Sequence, residues 1–298
     1  MTKRKDEWIQ TFRDAGNSIW IELSGTKKPY KNKASDLNKR IKDYRDIKIE
    51  QVKETAAKNY WENETLLNEV LLLTYASYVV MLEYRNRAWK YEYMSFARRI
   101  GELWEPFCKL LFDFPVKSLV LTNPPRFNDV QTKIKKSTVD YINGLDLDKE
   151  IKDELKRHYD IPWTMVDSGG IKLGLDLHFE QNGIHYNCDF KSGFSSNEKG
   201  NTNRLLLVAS IYHSLGEIEK MILFVRQSED KNNHYLQTLK NSPHWNVYCA
   251  DDSYALMKEF TGFDLRKWLD DNVDWENDIS HEFWLHLQKN DLLKYLTW

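Results

Sequence analysis

The sequence predicts an α/β fold, a central mixed β-sheet flanked by helices and carrying an N-terminal helical extension, on three observations. Asn182-Gly183 separates two runs in which apolar and polar residues alternate, the pattern of a tight β-hairpin. Strand-length apolar runs at 221–225 and 245–249 then alternate with helix-length segments, as crossover connections require. Ahead of all of them, residues 1–92 carry helical rather than alternating patterns.

Taken along the chain, a polar, lysine-rich loop is expected near Gly25 to Lys33, followed by a long apolar-faced helix from about Glu64 to Tyr84. Its longest apolar run, Val70 to Leu82, is interrupted by Thr, Tyr and Ser and is too short to cross a bilayer. No charged-then-apolar signal pattern opens the chain, so a cytoplasmic protein with no membrane partner is expected. Between Lys27 and Lys48, nine Lys and Arg stand against Asp36, Asp43 and Asp46. Such a stripe is either a solvated helix face or a surface that neutralises phosphates.

Phe96 to Phe112 has apolar residues at 96, 100, 103, 104, 107, 110 and 111, which predicts an amphipathic helix bent at Pro106. Domains are expected at 1–92, a helical region for dimerisation or for gripping a partner, and at 93–298, a catalytic core. Thr122-Asn123-Pro124-Pro125-Arg126 resembles the Asn-Pro-Pro-aromatic motif of adenine methyltransferases but has Arg126 in place of the stacking ring, and that reading is rejected. There is no Gly-x-x-x-x-Gly-Lys-Ser/Thr loop, so no nucleotide cofactor is expected.

A two-residue turn at Asn182-Gly183 sets the register of its strands. Gln181 faces Ile184, Glu180 faces His185, His178 faces Asn187, and Asp176 falls opposite Asp189. One face carries Leu175, Leu177, Phe179, Ile184, Tyr186, Cys188 and Phe190; the other carries Asp176, His178, Glu180, His185, Asn187, Asp189 and Lys191. Two acids opposed on a sheet call for a compensating cation. Lys191 is one, and a divalent metal between the carboxylates is another, with hard oxygen ligands favouring magnesium. The same pattern suits a hairpin that turns a solvated polar face to water.

Beyond the hairpin, Ser192 to Arg204 is polar and punctuated by glycine. A helix is expected over Asn203–Leu215, closed by Gly216, with Thr202 or Asn203 as its cap. A buried strand at 221–225, a short helix at 234–240, a strand at 245–249 and a helix from Asp251 or Asp252 to Phe260, ending near Gly262, complete the order. The later strands should be parallel, with the antiparallel hairpin at one side of the sheet.

Asp176, twelve intervening residues and Asp189-Phe190-Lys191 together resemble the motif of the PD-(D/E)XK nuclease superfamily, whose best-known members are Type II restriction endonucleases. Leu175 stands where that motif often has proline. The run Tyr254 to Leu269 is similar to the last core helix of several restriction endonucleases. The resemblance implies a restriction-endonuclease-like core in which Asp176, Asp189 and Lys191 are catalytic. It further implies that Asp176, Asp189 and the Phe190 carbonyl bind one or two Mg2+ ions, and that Glu105, with Glu102 in reserve, points at the metal from the Phe96–Phe112 helix. Surface glutamates on an ordinary helix are the other reading of that pair. The expected activity is Mg-dependent, sequence-specific hydrolysis of double-stranded DNA leaving 5′-phosphate ends, by a homodimer acting on palindromes. Asn197, Lys199, Asn201, Asn203 and Arg204 follow the catalytic lysine and are the candidate DNA contacts, or else a plain connection into the next helix.

Four alternatives stay open. They are a repair or structure-selective nuclease of the same superfamily, a non-catalytic DNA-binding protein, a structural protein with a nuclease-like sheet, and a transition-metal site using His178 and His185 beside Asp176. Net charge of -2 makes no overall case for nucleic acid, so any affinity for DNA must be local. Cys108, Cys188 and Cys249 lack metal-ligand spacing and read as reduced core thiols of an intracellular protein.

Overall fold

The computed structural model describes residues 4–164, 172–195, 198–216 and 218–298. It divides into two compact units, one formed by residues 1–119 with 250–298, the other by residues 120–249. The boundary expected at 92 falls inside the first unit, between two of its helices.

That first unit is helical among its described residues. It contains α1 (Lys5–Ser24), α2 (Tyr30–Lys58), α3 (Asn63–Ala88) and α4 (Tyr93–Asp113). α3 is apolar on nearly every side and forms the centre, with Leu67, Val70, Leu71, Leu73, Tyr75 and Val79 fully buried. It extends past the apolar run at both ends and is thereby long and apolar enough to cross a membrane, contrary to the expectation, yet 83% of its apolar window is buried inside the unit. The burial identifies it as a core helix. α4 runs through Pro106 as one helix, begun by a capping box between Glu92 and Ser95.

The second unit begins with β1 (Val120–Leu121), and the Asn-Pro-Pro stretch connects it to α5 (Phe127–Gly144) and then α6 (Lys149–Thr164). β2 (Leu177–Gln181) and β3 (Ile184–Lys191) form the hairpin; α7 (Lys199–His213), β4 (Glu219–Val225), α8 (His234–Lys240) and β5 (Trp245–Cys249) follow. The sheet order is β1-β2-β3-β4-β5, antiparallel through β3 and parallel from β3 to β5. A mixed sheet flanked by helices is therefore the architecture of this unit. α5 and α6 had no counterpart in the sequence expectations.

The hairpin register is the one the turn dictates, with His178 opposite Asn187 and Gln181 opposite Ile184. Asn182 and Gly183 both have positive φ, 55° and 77°. β3 then pairs in parallel with β4, placing Asn187, Asp189 and Lys191 beside Met221, Leu223 and Val225 on one face of the sheet. Those β4 residues pack in a core with Leu205, Val208, Ala209 and Tyr212 of α7. The polar row of the hairpin thus lies on a covered face over part of its length. His178, Asn187 and Asp189 are buried, while Glu180 and His185, nearer the turn, are half-buried.

The helices α9 (Asp251–Thr261), α10 (Leu265–Asn272), α11 (Trp275–Asp278) and α12 (His281–Lys289) return the chain to the first unit. α9 ends at Gly262 as expected, in the left-handed region at φ 82°, so the run from Tyr254 to Leu269 that resembles one core helix is two helices. Buried Asp278 accepts from Lys5 Nζ at 2.8 Å and from the Tyr75 hydroxyl at 2.8 Å. Burial, and then the Asp278 charge, push the Tyr75 hydroxyl up, so it stays protonated and donates. Glu83 accepts from Arg13 Nη2 at 2.7 Å and from the Ser280 amide at 2.6 Å.

A Cβ added at Gly183 meets no atom within 4 Å, so Gly183→Ala tests the backbone alone. Holding alanine at positive φ should cost about 1–2 kcal/mol, read as a lowered urea midpoint of the sheet unit's transition with no change in secondary-structure content.

Candidate functional site

The site is built on the last residues of β3 and the chain entering β2. Asp176 lies one residue before β2, and its Oδ2 accepts the Phe190 amide at 2.8 Å. A side-chain carboxylate thus takes the hydrogen bond of a β3 amide and draws Asp176 against β3, one step beyond the last ladder pair, Leu177 with Cys188.

Asp189 is 1% exposed. Lys191 Nζ stands 2.5 Å from its Oδ1 and Arg204 Nη2 stands 3.3 Å from its Oδ2. Each carboxylate oxygen is thus held by a cation, the closer contact being that of Lys191. Burial pushes the Asp189 carboxyl above the usual carboxylate range; Lys191 pulls it back and the neighbouring Asp176 charge pushes it further up. A buried carboxylate with specific charge partners and a pKa pushed up by burial is the kind of group found at functional sites. It does not fit a solvated sheet face.

A chain of polar groups holds this corner in place. The Leu175 amide donates to His178 Nε2 at 2.9 Å, which leaves Nδ1 as the protonated nitrogen, donating to Asn187 Oδ1 at 2.7 Å. Asn187 Nδ2 donates to Glu219 Oε2 at 2.7 Å, and Glu219 Oε1 stands 3.4 Å from His185 Nδ1. Both ring nitrogens of His178 are spent on these bonds, so the alternative of a metal site on His178 and His185 fails. The network was missed in the sequence reading. Its only sequence signal was a histidine opposite an asparagine.

Several expected residues stand differently in the structure. α7 starts at Lys199, earlier than the expected Asn203, and Thr202 is buried inside its first turns instead of capping it. Lys199 and Asn203 are exposed on those turns, Asn201 Nδ2 donates to Glu198 at 3.1 Å, and Arg204 is turned onto Asp189. Asn197 lies outside the described residues. The segment between β3 and α7 is tied down at its start: Arg226 donates to the Ser192 hydroxyl at 2.8 and 3.0 Å, and Asn232 Oδ1 accepts the Phe194 amide at 2.7 Å.

Glu105 belongs to the helical unit, where Lys109 Nζ lies 3.7 Å from its carboxylate. Glu102 is bound there by Arg98 at 2.6 Å and Arg99 at 3.1 Å. Cys188 lies between the acids in sequence, but burial, reinforced by Asp189 and Asp176, pushes its thiol far up, so it is no nucleophile. Among the described residues no three His, Cys, Asp or Glu side chains cluster to hold a metal. What the corner has is two carboxylates and the Phe190 backbone. That set suits Mg2+, which keeps several waters and needs only one or two protein carboxylates. Asp189 Oδ1, held by Lys191 Nζ, already takes a cation at this corner.

Because Asp189 is more readily protonated folded than unfolded, its buried charge lowers stability above its folded pKa. That loss is relieved as pH falls through the folded value. Asp189→Asn should therefore raise the melting temperature at pH 8, with the gain shrinking toward pH 4. His178→Leu should instead lower stability by about 1–3 kcal/mol, since it removes the partner of the half-buried Leu175 amide and of the buried Asn187 carbonyl. Denaturant melts of both variants check these opposite signs.

Comparison with known protein families, with curated proteins and with solved structures finds no match, so the site's chemistry rests on its own residues.

Proposed function

We propose that the chain is a Mg-dependent endonuclease that hydrolyses phosphodiester bonds of double-stranded DNA, with a restriction-endonuclease-like core of the PD-(D/E)XK kind. The observation that carries the reading is the Asp189 carboxylate, 1% exposed and held between Lys191 and Arg204, with the Asp176 carboxylate bound to the amide of the next residue, Phe190. Asp176, Asp189 and the Phe190 carbonyl would hold the ion. Bound there, Mg2+ supplies neutralising charge at the phosphate and lowers the pKa of an attacking water.

The chain's own residues do the rest. Arg204 holds Asp189 Oδ2 and helps to keep the carboxylate in place. Asp176 is fixed by the Phe190 amide through Oδ2 and has its second oxygen for the cation. Lys191, only partly exposed, compensates Asp189 in the free protein and can donate from Nζ to a phosphate oxygen or to the attacking water once a cation takes over that role. Lys199 and Asn203, exposed on the opening turns of the helix that carries Arg204, supply a phosphate-neutralising cation and an amide for DNA. Site-specific cleavage by a Type II homodimer is the form of this activity that the proposal takes.

Long unmodified duplex DNA incubated with Mg2+ should give discrete bands on a gel. Chelation should abolish them, Asp176→Ala should remove them, and Lys191→Ala should slow cleavage by about 10²–10⁴-fold. A smear or nicks moves the assignment to a structure-selective nuclease. Unchanged DNA under all metals, with Mg2+ also failing to shift the melting temperature, overturns it.

A further inference from the structure

We infer that the helical unit carries a surface of its own for nucleic acid, a face of α2 that holds the phosphate backbone of duplex DNA without reading bases and without metal. From Glu22 to Lys48, nine Lys and Arg stand against four acids, Glu22, Asp36, Asp43 and Asp46. A chain whose net charge is -2 is thus strongly basic in one place. The choice of duplex DNA as the occupant rests on the proposed nuclease function. The phosphate-binding face itself rests on the charges and geometry of α2.

Ion pairing decides which of these charges are available. Lys28 is held by Asp36 at 2.6 Å, Arg40 by Glu22 at 2.7 Å and Arg45 by Asp46 at 2.7 Å. Lys33 is buried with its Nζ on the Ser24 carbonyl at 3.2 Å, and Lys48 donates to Gln51 at 3.0 Å. Lys27, Lys31, Lys39 and Lys42 are exposed, and among the described residues they make no ion pair. Asp43 is the one acid of the stretch left to set against them. On α3, Glu83 is already taken by Arg13 at 2.7 Å. The positive excess therefore survives after the pairs are counted.

Spacing puts the available lysines together. Lys31, Ser35, Lys39 and Lys42 follow at steps of four, four and three, so they line one face of α2. Asp46, next along that face, is the acid that Arg45 neutralises, and it closes the face at that end. Lys31 to Lys42 spans about 16 Å at a rise of about 1.5 Å per residue, the length of roughly five phosphates of one strand. Ser35, and Asn38 four residues before Lys42, add a hydroxyl and an amide to the same face, groups that bond phosphate oxygens. An anionic membrane would instead require apolar side chains beside the lysines. Exposed Ile47 lies one turn past Asp43, on the face of that acid and away from the lysines. A few neutralised phosphates hold a duplex weakly and reversibly, which suits a protein that stays on DNA while it moves between cleavage sites.

A fluorescein-labelled duplex is titrated with the full chain in EDTA, followed by anisotropy, at salt concentrations from about 50 to about 200 mM. The natural chain should bind, with log K falling linearly against log salt. Lys31→Gln, Lys39→Gln and Lys42→Gln together should weaken binding and flatten that slope by about 2–3, since each neutralised phosphate contributes about 0.9. Lys31→Arg, Lys39→Arg and Lys42→Arg together should keep both. Lys258→Gln with Lys267→Gln and Lys294→Gln removes the same charge from exposed positions elsewhere in the unit and should leave the slope unchanged. In a Lys191→Ala chain the three α2 glutamine substitutions should flatten the slope by the same amount. A chain that binds in this way but never cuts overturns the nuclease function and leaves this surface standing. No binding to the duplex, an unchanged slope in the α2 variant, an equal loss in the control variant, or binding to phosphatidylserine vesicles in place of DNA overturns the inference.

Discussion

The sheet unit is organised around one electrostatic problem, the negative charge of Asp189 taken out of water on a central strand. A carboxylate in that position is costly unless charges and donors surround it. The answers come from three directions: Lys191 two residues on along β3, Arg204 from α7, and a geometry that keeps Asp176 engaged with the Phe190 amide. Even so the carboxyl is pushed upward by its burial. A fold organised for stability alone would place an apolar residue there, as the neighbouring strand does with Leu223.

Support for that corner reaches well beyond the acids. His178, Asn187 and Glu219 form a hydrogen-bonded line across three adjacent strands, and the line ends on the backbone of Leu175, next to Asp176. Each link has a defined donor and acceptor, so the histidine is neutral with its proton on Nδ1. Packing of Tyr212 near the His178 ring, with centroids 6.1 Å apart, covers the line from one side. The helical unit solves a similar problem at Asp278 and Glu83, where buried carboxylates tie the C-terminal helices to α1 and α3.

What could be read from the chain was local. The two-residue turn fixes register because side chains alternate with period two, so Asp176, Asp189 and Lys191 were placed on one face by counting from Asn182. β5 and α8 were bounded by their own apolar runs and flanking polar residues. The start of α7 was misplaced because its first residue follows Glu198, which makes no side-chain cap, and the Thr202 hydroxyl that suggested a cap points to no backbone amide. The break at Gly262 was expected as a helix end, and the similarity of 254–269 to one continuous helix was misleading for that reason.

Sequence by itself determined the mixed sheet, the register of the hairpin and the company of two acids with a lysine, since turn chemistry and strand period act over a few residues. Tertiary structure decided which charges are buried, how His178 spends its two nitrogens, and that α4 belongs with the first three helices and the C-terminal ones. Lys5 and Asp278 are 273 positions apart in the chain, and Trp104 donates to the Tyr254 hydroxyl across 150. Contacts at such separation carry no periodicity along the sequence, because they follow from which surfaces exclude water together rather than from any residue's own neighbours.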